Sequence, residues 1–259
     1  MDQNGRLNLD ELSHKIRDDT ILVSLMYVNN EVGIINPIHE VREIISQKNK
    51  KTKFHVDMVQ ALGKIPIDLS VVDMASFSAH KIYGLKGSGV LFKKESTSLI
   101  PLICGGQQES GLRGGTSNTA THIMFAKTLR LALENQDNKY QYVKSLNRYV
   151  RNAFIQEPDI VINTPMEESS PYILNFSCVG YKPEVILHAL EAHECYVSTK
   201  STCSSRKNDV SRTLGAMGVP IEIAQSAIRI SFSHHTKQEE IDEFLYHLSS
   251  TLKTIKKQR

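Results

Sequence analysis

The chain has 259 residues, of which 40% are apolar and 23% charged, a composition that can bury a sizeable core and excludes a disordered polymer. Its formal charge of +3 comes from 31 basic and 28 acidic residues, and the one dense basic run, 253–259, sits at the C-terminus, so no direct nucleic-acid partner is expected. The apolar stretches fall short of the roughly 20 residues that span a bilayer, and the opening MDQNGRLNLDELSHK is too polar for a secretory segment, so a cytoplasmic chain without a membrane partner is expected.

In chain order, short apolar runs alternate with helical patterns, which predicts an α/β fold with a mainly parallel sheet. Strands are expected at 20–27, 53–57, 72–77 and 88–94, with a helix over 38–50 introduced by Pro37. Thr116, Ser117 and Asn118 are candidate caps for a helix reaching Glu134, with Ile123, Ala126, Leu129 and Leu133 on one face. The polar stretch NQDNKYQ, 135–141, is read as the boundary, which gives domains of 1–137 and 138–259. Beyond it a smaller α+β unit is predicted, with strands at 172–178, 195–199 and 227–232 and a final helix over 237–256. That helix carries Ile241, Phe244, Leu245, Leu248 and Leu252 at helical spacing.

SFSAHKIYGLKGSG, 76–89, places Lys81 directly after a strand, beside Ser78 and His80 and ahead of three glycines. Ligands bind at such strand ends, and a Schiff-base lysine needs a fixed, partly desolvated amine. A surface lysine before a glycine-rich turn fits the same segment. In HVDMVQALGK, 55–64, Asp57 ends the preceding strand and Gln60 follows. A carboxylate there can keep a pyridinium nitrogen protonated, or it can cap a helix with Gln60 completing the cap.

Arg229 lies within the apolar strand IRISF, where a guanidinium is costly unless it meets a site or points to solvent from an edge. Two parallel hydrogen bonds from it would suit an α-carboxylate. The four cysteines show neither CxxC nor Cys/His ligand spacing, so reduced thiols and no metal centre are expected. Cys203, in the small, polar and basic run VSTKSTCSSRKND, is the candidate reactive thiol. Cys104 and Cys178, in or beside apolar strands, and Cys195, after a helical pattern, are expected to serve packing.

VNNEVG (28–33), HVDMVQALGKIPID (55–68), SFSAHKIYGLKGSGVLF (76–92), GGQQESGLRGGT (105–116) and IRISFSHHTKQEEID (228–242) follow one another here. In those blocks and that order the chain resembles the cysteine desulfurases of the class-V aminotransferase-like group, over about residues 5–250. The resemblance implies the aspartate-aminotransferase-like fold of pyridoxal 5'-phosphate transferases, here with an incomplete large-domain sheet and a smaller C-terminal domain. It implies Lys81 as the cofactor lysine, Asp57 as partner of the pyridinium nitrogen and Gln60 as partner of the phenolic oxygen. Ser78 and His80 resemble phosphate ligands, and Asn30 a polar contact near cofactor and substrate. Arg229 resembles the grip on the α-carboxylate of L-cysteine. Thr116 resembles the threonine that reaches the neighbouring subunit's phosphate, which implies a homodimer. Cys203 is implied as the thiol that takes sulfur as a persulfide and passes it to an acceptor protein, an iron-sulfur scaffold or a tRNA-thiolating enzyme.

Two features depart from the family. Thr202 stands where alanine commonly precedes the cysteine, a change expected to tune the loop. Family members also carry an earlier segment with a Gly-Ala-Thr phosphate loop and an aromatic residue stacked on the cofactor ring, neither of which occurs here. A fragment, a damaged gene product or half of a split enzyme is therefore expected. The alternatives to desulfuration are a catalytically impaired fragment, or another class-V reaction such as selenocysteine lysis or transamination.

Overall fold

The structure, a computed structural model, describes residues 1–199 and 211–257. Its elements in chain order are α1 (Leu9–Lys15), β1 (Leu22–Met26), α2 (Ile38–Lys48), β2 (Lys53–Asp57), β3 (Met74–Ser78), β4 (Gly89–Lys93) and α3 (Thr119–Leu133). They continue with α4 (Gln136–Ile155), β5 (Ile160–Ile162), β6 (Ile173–Cys178), α5 (Pro183–Glu191), α6 (Arg212–Ala216), α7 (Ile221–Ala224), β7 (Ala227–Ser231) and α8 (Gln238–Thr254). No helix among the described residues is long and apolar enough to cross a membrane.

Two compact units divide these elements. The first takes Leu9–Tyr27 and Pro37–Gln136. Among its described residues β1, β2, β3 and β4 form a sheet in that order, parallel across the first three and antiparallel between β3 and β4. The alternation of β2 buries Phe54 and Val56 and leaves His55 and Asp57 half-buried on the other face. Helix α2 begins after Pro37 and buries Ile38, Val41 and Ile45 at helical spacing. Its Arg42 donates through Nε to the Val71 carbonyl (2.6 Å) and through Nη2 to Asp73 (2.5 Å), with the guanidinium carbon 5.3 Å from the Phe54 ring centre.

Helix α3 follows an Asn118 cap, whose side chain accepts from the Thr121 N–H. The apolar face differs from the sequence expectation. Phe125 is buried and Leu129 and Ala132 are half-buried against Leu62, Ala79 and Ile82, while Ile123 and Leu133 are exposed. Apolar residues outside the predicted stripe, Phe125 and Ala132, make the contact with Leu62, Ala79 and Ile82.

The second unit takes Met1–Asn8, Val28–Asn36 and Asp137–Arg259. Helix α4 buries Val143, Leu146, Val150 and Phe154, and α8 buries Ile241, Phe244, Leu248 and Leu252, all in one core with Leu174 and Phe176 of β6. Strands β5, β6 and β7 form an antiparallel sheet in that order. The predicted strand at 195–199 is reduced to an isolated bridge between Ser198 and Arg229.

The sequence division at 137/138 leaves two short segments, Met1–Asn8 and Val28–Asn36, on the other side of the boundary from the unit they fold with. Val32 and Ile34 pack with Leu214, Met217, Ala224 and Ala227, and Ile34 bridges Ser169; contiguous reading cannot see such a return. The change of unit at Gln136/Asp137 falls within NQDNKYQ. Helix α4 starts at Gln136, and the break is confined to Asn135, whose φ is +52°. Polar residues on the solvent side of a first turn, with Asp137 at the positive end of the helix dipole, read as a linker by composition alone.

Asp73 also accepts from the Phe54 N–H at 2.8 Å. Burial pushes its carboxyl up, but Arg42 and that N–H outweigh the burial and hold it below the ordinary carboxylate value. Asp73→Asn is expected to cost about 2–3 kcal/mol in urea unfolding at pH 7, because Arg42 and the Phe54 N–H lose their anion. The native carboxyl is the stronger acid. The stabilisation is therefore complete above pH ~4 and is lost as pH falls through the lowered native value, closing the gap between wild type and variant.

Candidate active site

Parallel pairing aligns Asp57 of β2 with Ser76 of β3, and the Met58 N–H donates to the Ser76 carbonyl at 3.0 Å. Both strands therefore run out in the same direction, carrying Asp57 and Ser78 at their carboxyl ends. Asp57 Oδ1 accepts from the Val59 N–H at 2.9 Å. Its Oδ2 accepts no hydrogen bond among the described residues. The chain over 58–63 turns without forming a helix, so the carboxylate braces a turn and caps no helix. Gln60 does not complete a cap. Its Oε1 accepts from Lys64 Nζ at 2.8 Å.

After Ser78 the chain enters a 3-10 turn over Ala79–Ile82, which ends at Tyr83 in the left-handed region (φ 68°). The turn is closed by Gly84 N–H to Ala79 carbonyl (2.8 Å) and tied to the hairpin by Ala79 N–H to Ser88 carbonyl (3.0 Å). A Cβ at Gly84 would lie 2.9 Å from Ala79 Cβ and 3.0 Å from its carbonyl oxygen, so glycine is required for the turn to close. Ala79 and Ile82 point into the core against Phe125, and the intervening His80 and Lys81 are exposed. Ser78 is half-buried and its hydroxyl makes no cap bond. The partial desolvation asked of a cofactor lysine is thus not supplied to Lys81 by the described residues around it. It is supplied to Lys64, whose ammonium is lowered to about 8 by burial and then by the charge of Lys81.

Thr116 belongs to the same unit and lies exposed after Gly114 and Gly115. Asn30 and Arg229 belong to the second unit. There Arg229, half-buried on β7, donates from Nη1 to the Asn30 carbonyl at 2.8 Å, while its Nε is buried without a hydrogen-bond partner among the described residues. Burial lowers the guanidinium pKa and Glu31 opposes that shift. The half-buried setting and the Asn30 bond differ from an edge arginine pointing to solvent.

Cys203 lies outside the described residues. Of the other thiols, Cys178 is buried in β6 and pushed up to about 12 by burial and then Asp159, and Cys195 is half-buried and raised by burial and then Glu243. Cys104 corrects the sequence expectation. It is exposed, because the apolar run around it lies at the surface, with Ile100 and Leu102 each about 95% exposed. Among the described residues no His, Cys, Asp and Glu cluster could hold a metal ion. The residue that sequence reasoning missed is Lys64; its signal was the four-residue spacing from Gln60.

A carboxylate, an amide, a hydroxyl, an imidazole and a primary amine, all carried on the ends of two neighbouring parallel strands and the turns behind them, define a site class: α/β proteins that bind an aldehyde cofactor through lysine. The family model described as aminotransferase class-V matches residues 1–244, and the chain belongs to that family. It is 43% identical over 253 residues to a NifS/IcsS protein homolog of Lactobacillus delbrueckii subsp. bulgaricus, covering 95% of this chain and 64% of that protein. It is 37% identical over 264 residues to the cysteine desulfurase IscS of Clostridium botulinum (strain Hall), covering all of this chain and 65% of that one. Among solved structures it is similar to a NifS-like protein, with a TM-score of 0.92, 37% identity and coverage of 98% of this chain and 67% of that one. A NifS-like protein of Rickettsia africae aligns with a TM-score of 0.88 at 28% identity, covering 98% and 69% of the two chains. The chain thus spans a little under two thirds of the curated relatives it matches.

The family is pyridoxal-phosphate dependent, and the donor set fits that group. Asp57 would offer a carboxylate oxygen for the pyridinium N–H, Gln60 an amide for the phenolic oxygen, Ser78 and His80 donors for phosphate, and Lys81 an amine for the aldehyde. Thiol accessibility gives a direct check on the cysteines. Among the three cysteines of the described residues, in native chain at neutral pH, Cys104 is expected to be alkylated first and Cys195 more slowly, with Cys178 silent until unfolding, as read by peptide mass spectrometry.

Proposed function

We propose that this chain carries cysteine desulfurase chemistry, converting L-cysteine to L-alanine and taking the sulfur onto Cys203. The observation that carries the reading is the pairing of β2 with β3, which sets Asp57, Ser78 and Lys81 at one end of one sheet. The names of the relatives, cysteine desulfurase IscS among them, supply the reaction class.

Bound pyridoxal phosphate would supply an electron sink for the pair left at the substrate α-carbon. Lys81 Nζ takes the α-proton and returns a proton to the product carbon. Asp57 holds the pyridinium N–H, which keeps that sink effective. Gln60 meets the phenolic oxygen, and Ser78 with His80 hold the phosphate. Arg229 would grip the substrate carboxylate, an anion that its buried Nε, without a hydrogen-bond partner among the described residues, could meet. The Cys203 thiolate attacks the substrate sulfur. The S–S bond forms as the C–S bond breaks, so the thiol is oxidised to a persulfide while the substrate carbon is reduced and leaves in alanine.

Delivery of that sulfur to an iron-sulfur scaffold or a tRNA-thiolating enzyme, and assembly as a homodimer through Thr116, complete the reading.

Chain supplied with pyridoxal phosphate should absorb in the near-visible, and borohydride reduction should leave the cofactor on the Lys81 peptide; Lys81→Ala should abolish both. Cys203→Ser should lose sulfide release from cysteine by at least two orders of magnitude and leave the absorbance intact. Equal cysteine turnover in that variant would sink the persulfide step, and turnover of selenocysteine alone would move the reading to a lyase. A wild-type chain that stays colourless and leaves cysteine unchanged would favour an impaired fragment.

A further inference from the structure

Gln60 is an amide with two unlike ends. Its Oε1 accepts and its Nε2 donates, and a half turn about one soft bond exchanges them. An amide that is to meet an anionic oxygen must present Nε2, because the reverse places two lone pairs against each other. The orientation therefore has to be fixed from behind.

Lys64 occupies that place. Its Nζ donates to Gln60 Oε1 at 2.8 Å. An ammonium has three donors and no acceptor, so it can hold the oxygen end and never the nitrogen end. The backbone sets up this contact. Gly63 takes φ +69°, and a Cβ there would lie 2.8 Å from Ala132 Cβ on α3, so the chain packs closely against the helix as it turns Lys64 back toward Gln60. The Lys64 N–H is fixed to the Ala61 carbonyl at 3.0 Å.

We propose that Lys64 is a positioning residue for the cofactor's phenolic oxygen, which it serves by holding Gln60 Oε1 so that Nε2 faces the ligand. The proposal rests on the functional reading above for the identity of the ligand and on the Lys64–Gln60 contact for the device. The enclosure of Lys64 supports it: a half-buried ammonium lowered to about 8 is kept at a cost, and a chain needing only packing there would carry an apolar side chain.

The contact is tested first without cofactor. In the apo chain the side-chain amide signals of Gln60 in a 1H–15N spectrum should titrate with a midpoint near the value of Lys64, about 8, and the titration should vanish in Lys64→Met. A wild-type Gln60 amide with no such titration overturns the contact.

Binding is tested second, with pyridoxal phosphate and with its 3-O-methyl analogue, which has no anionic phenolic oxygen. Lys64→Met should weaken pyridoxal phosphate by roughly tenfold, the size of one charge-dependent hydrogen bond, and the analogue by little. Lys64→Arg should recover part of the loss, and Lys64→Met on a Gln60→Leu background should add nothing. Equal weakening of both ligands would mean a structural role and would overturn the proposal. If wild type binds neither ligand while the amide titrates, the functional reading fails and the apo contact stands.

Discussion

The parallel pairing of β2 with β3 is the constraint from which the candidate site follows. Parallel strands finish at the same edge, so the last residues of each must share one end of the sheet whatever follows them. Asp57 opposite Ser76 fixes that edge to the residue. A slip of one position would send Asp57 to the face occupied by Phe54 and Val56, where a carboxylate has no partner. The alternation that buries Phe54 and Val56 is therefore also what keeps Asp57 on the open side. Core packing and site chemistry are two consequences of one register.

What continues from that edge is held as firmly as the edge itself. The 3-10 turn bearing Lys81 is closed by Gly84, anchored on the hairpin through Ser88 and pressed against α3 through Ala79 and Ile82. Its buried residues flank its exposed ones, so the turn can present His80 and Lys81 without freedom to rotate them away. Rigidity there matters because positioning of an attacking amine depends on the backbone that carries it.

Much of this was legible because strand ends are written in short-range pattern. The alternation over 53–57, the serine, histidine and lysine after 72–77 and the glycines beyond them all act locally, and β2, β3 and β4 fall close to their expected places. The parts that were not legible depend on contacts distant in sequence. The face of α3 that packs does so through Phe125 in a cluster with Ala79, 46 positions earlier in the numbering, a contact the helix's own periodicity could not reveal. Val32 and Ile34 return to pack with Leu214 and Met217, which makes the second unit discontinuous. Cys104 misled for the opposite reason: apolar neighbours predict burial only when something covers them, and Ile100 and Leu102 are exposed. Site roles drawn from family blocks stand apart from these, since they rest on resemblance and on donor chemistry together.

The charges close the argument about what the strand-end site is for. Lys64 and Lys81 lie near enough for the charge of one to depress the other, and Asp57 is the carboxylate at the same edge. Two ammoniums, one of them half-buried, thus lie at the edge that carries the braced carboxylate. An anion placed beside two like charges relieves their repulsion. A dianionic phosphate with a phenolate oxygen supplies such charge, and condensation of Lys81 with an aldehyde removes one ammonium outright. Within the second unit Arg229 carries a buried Nε without an acceptor among the described residues, and Glu31 opposes the effect of burial on its charge. In the proposed reading, the phosphate and phenolate of a cofactor would meet the charges of the first unit, and the carboxylate of an amino acid would meet Arg229 in the second.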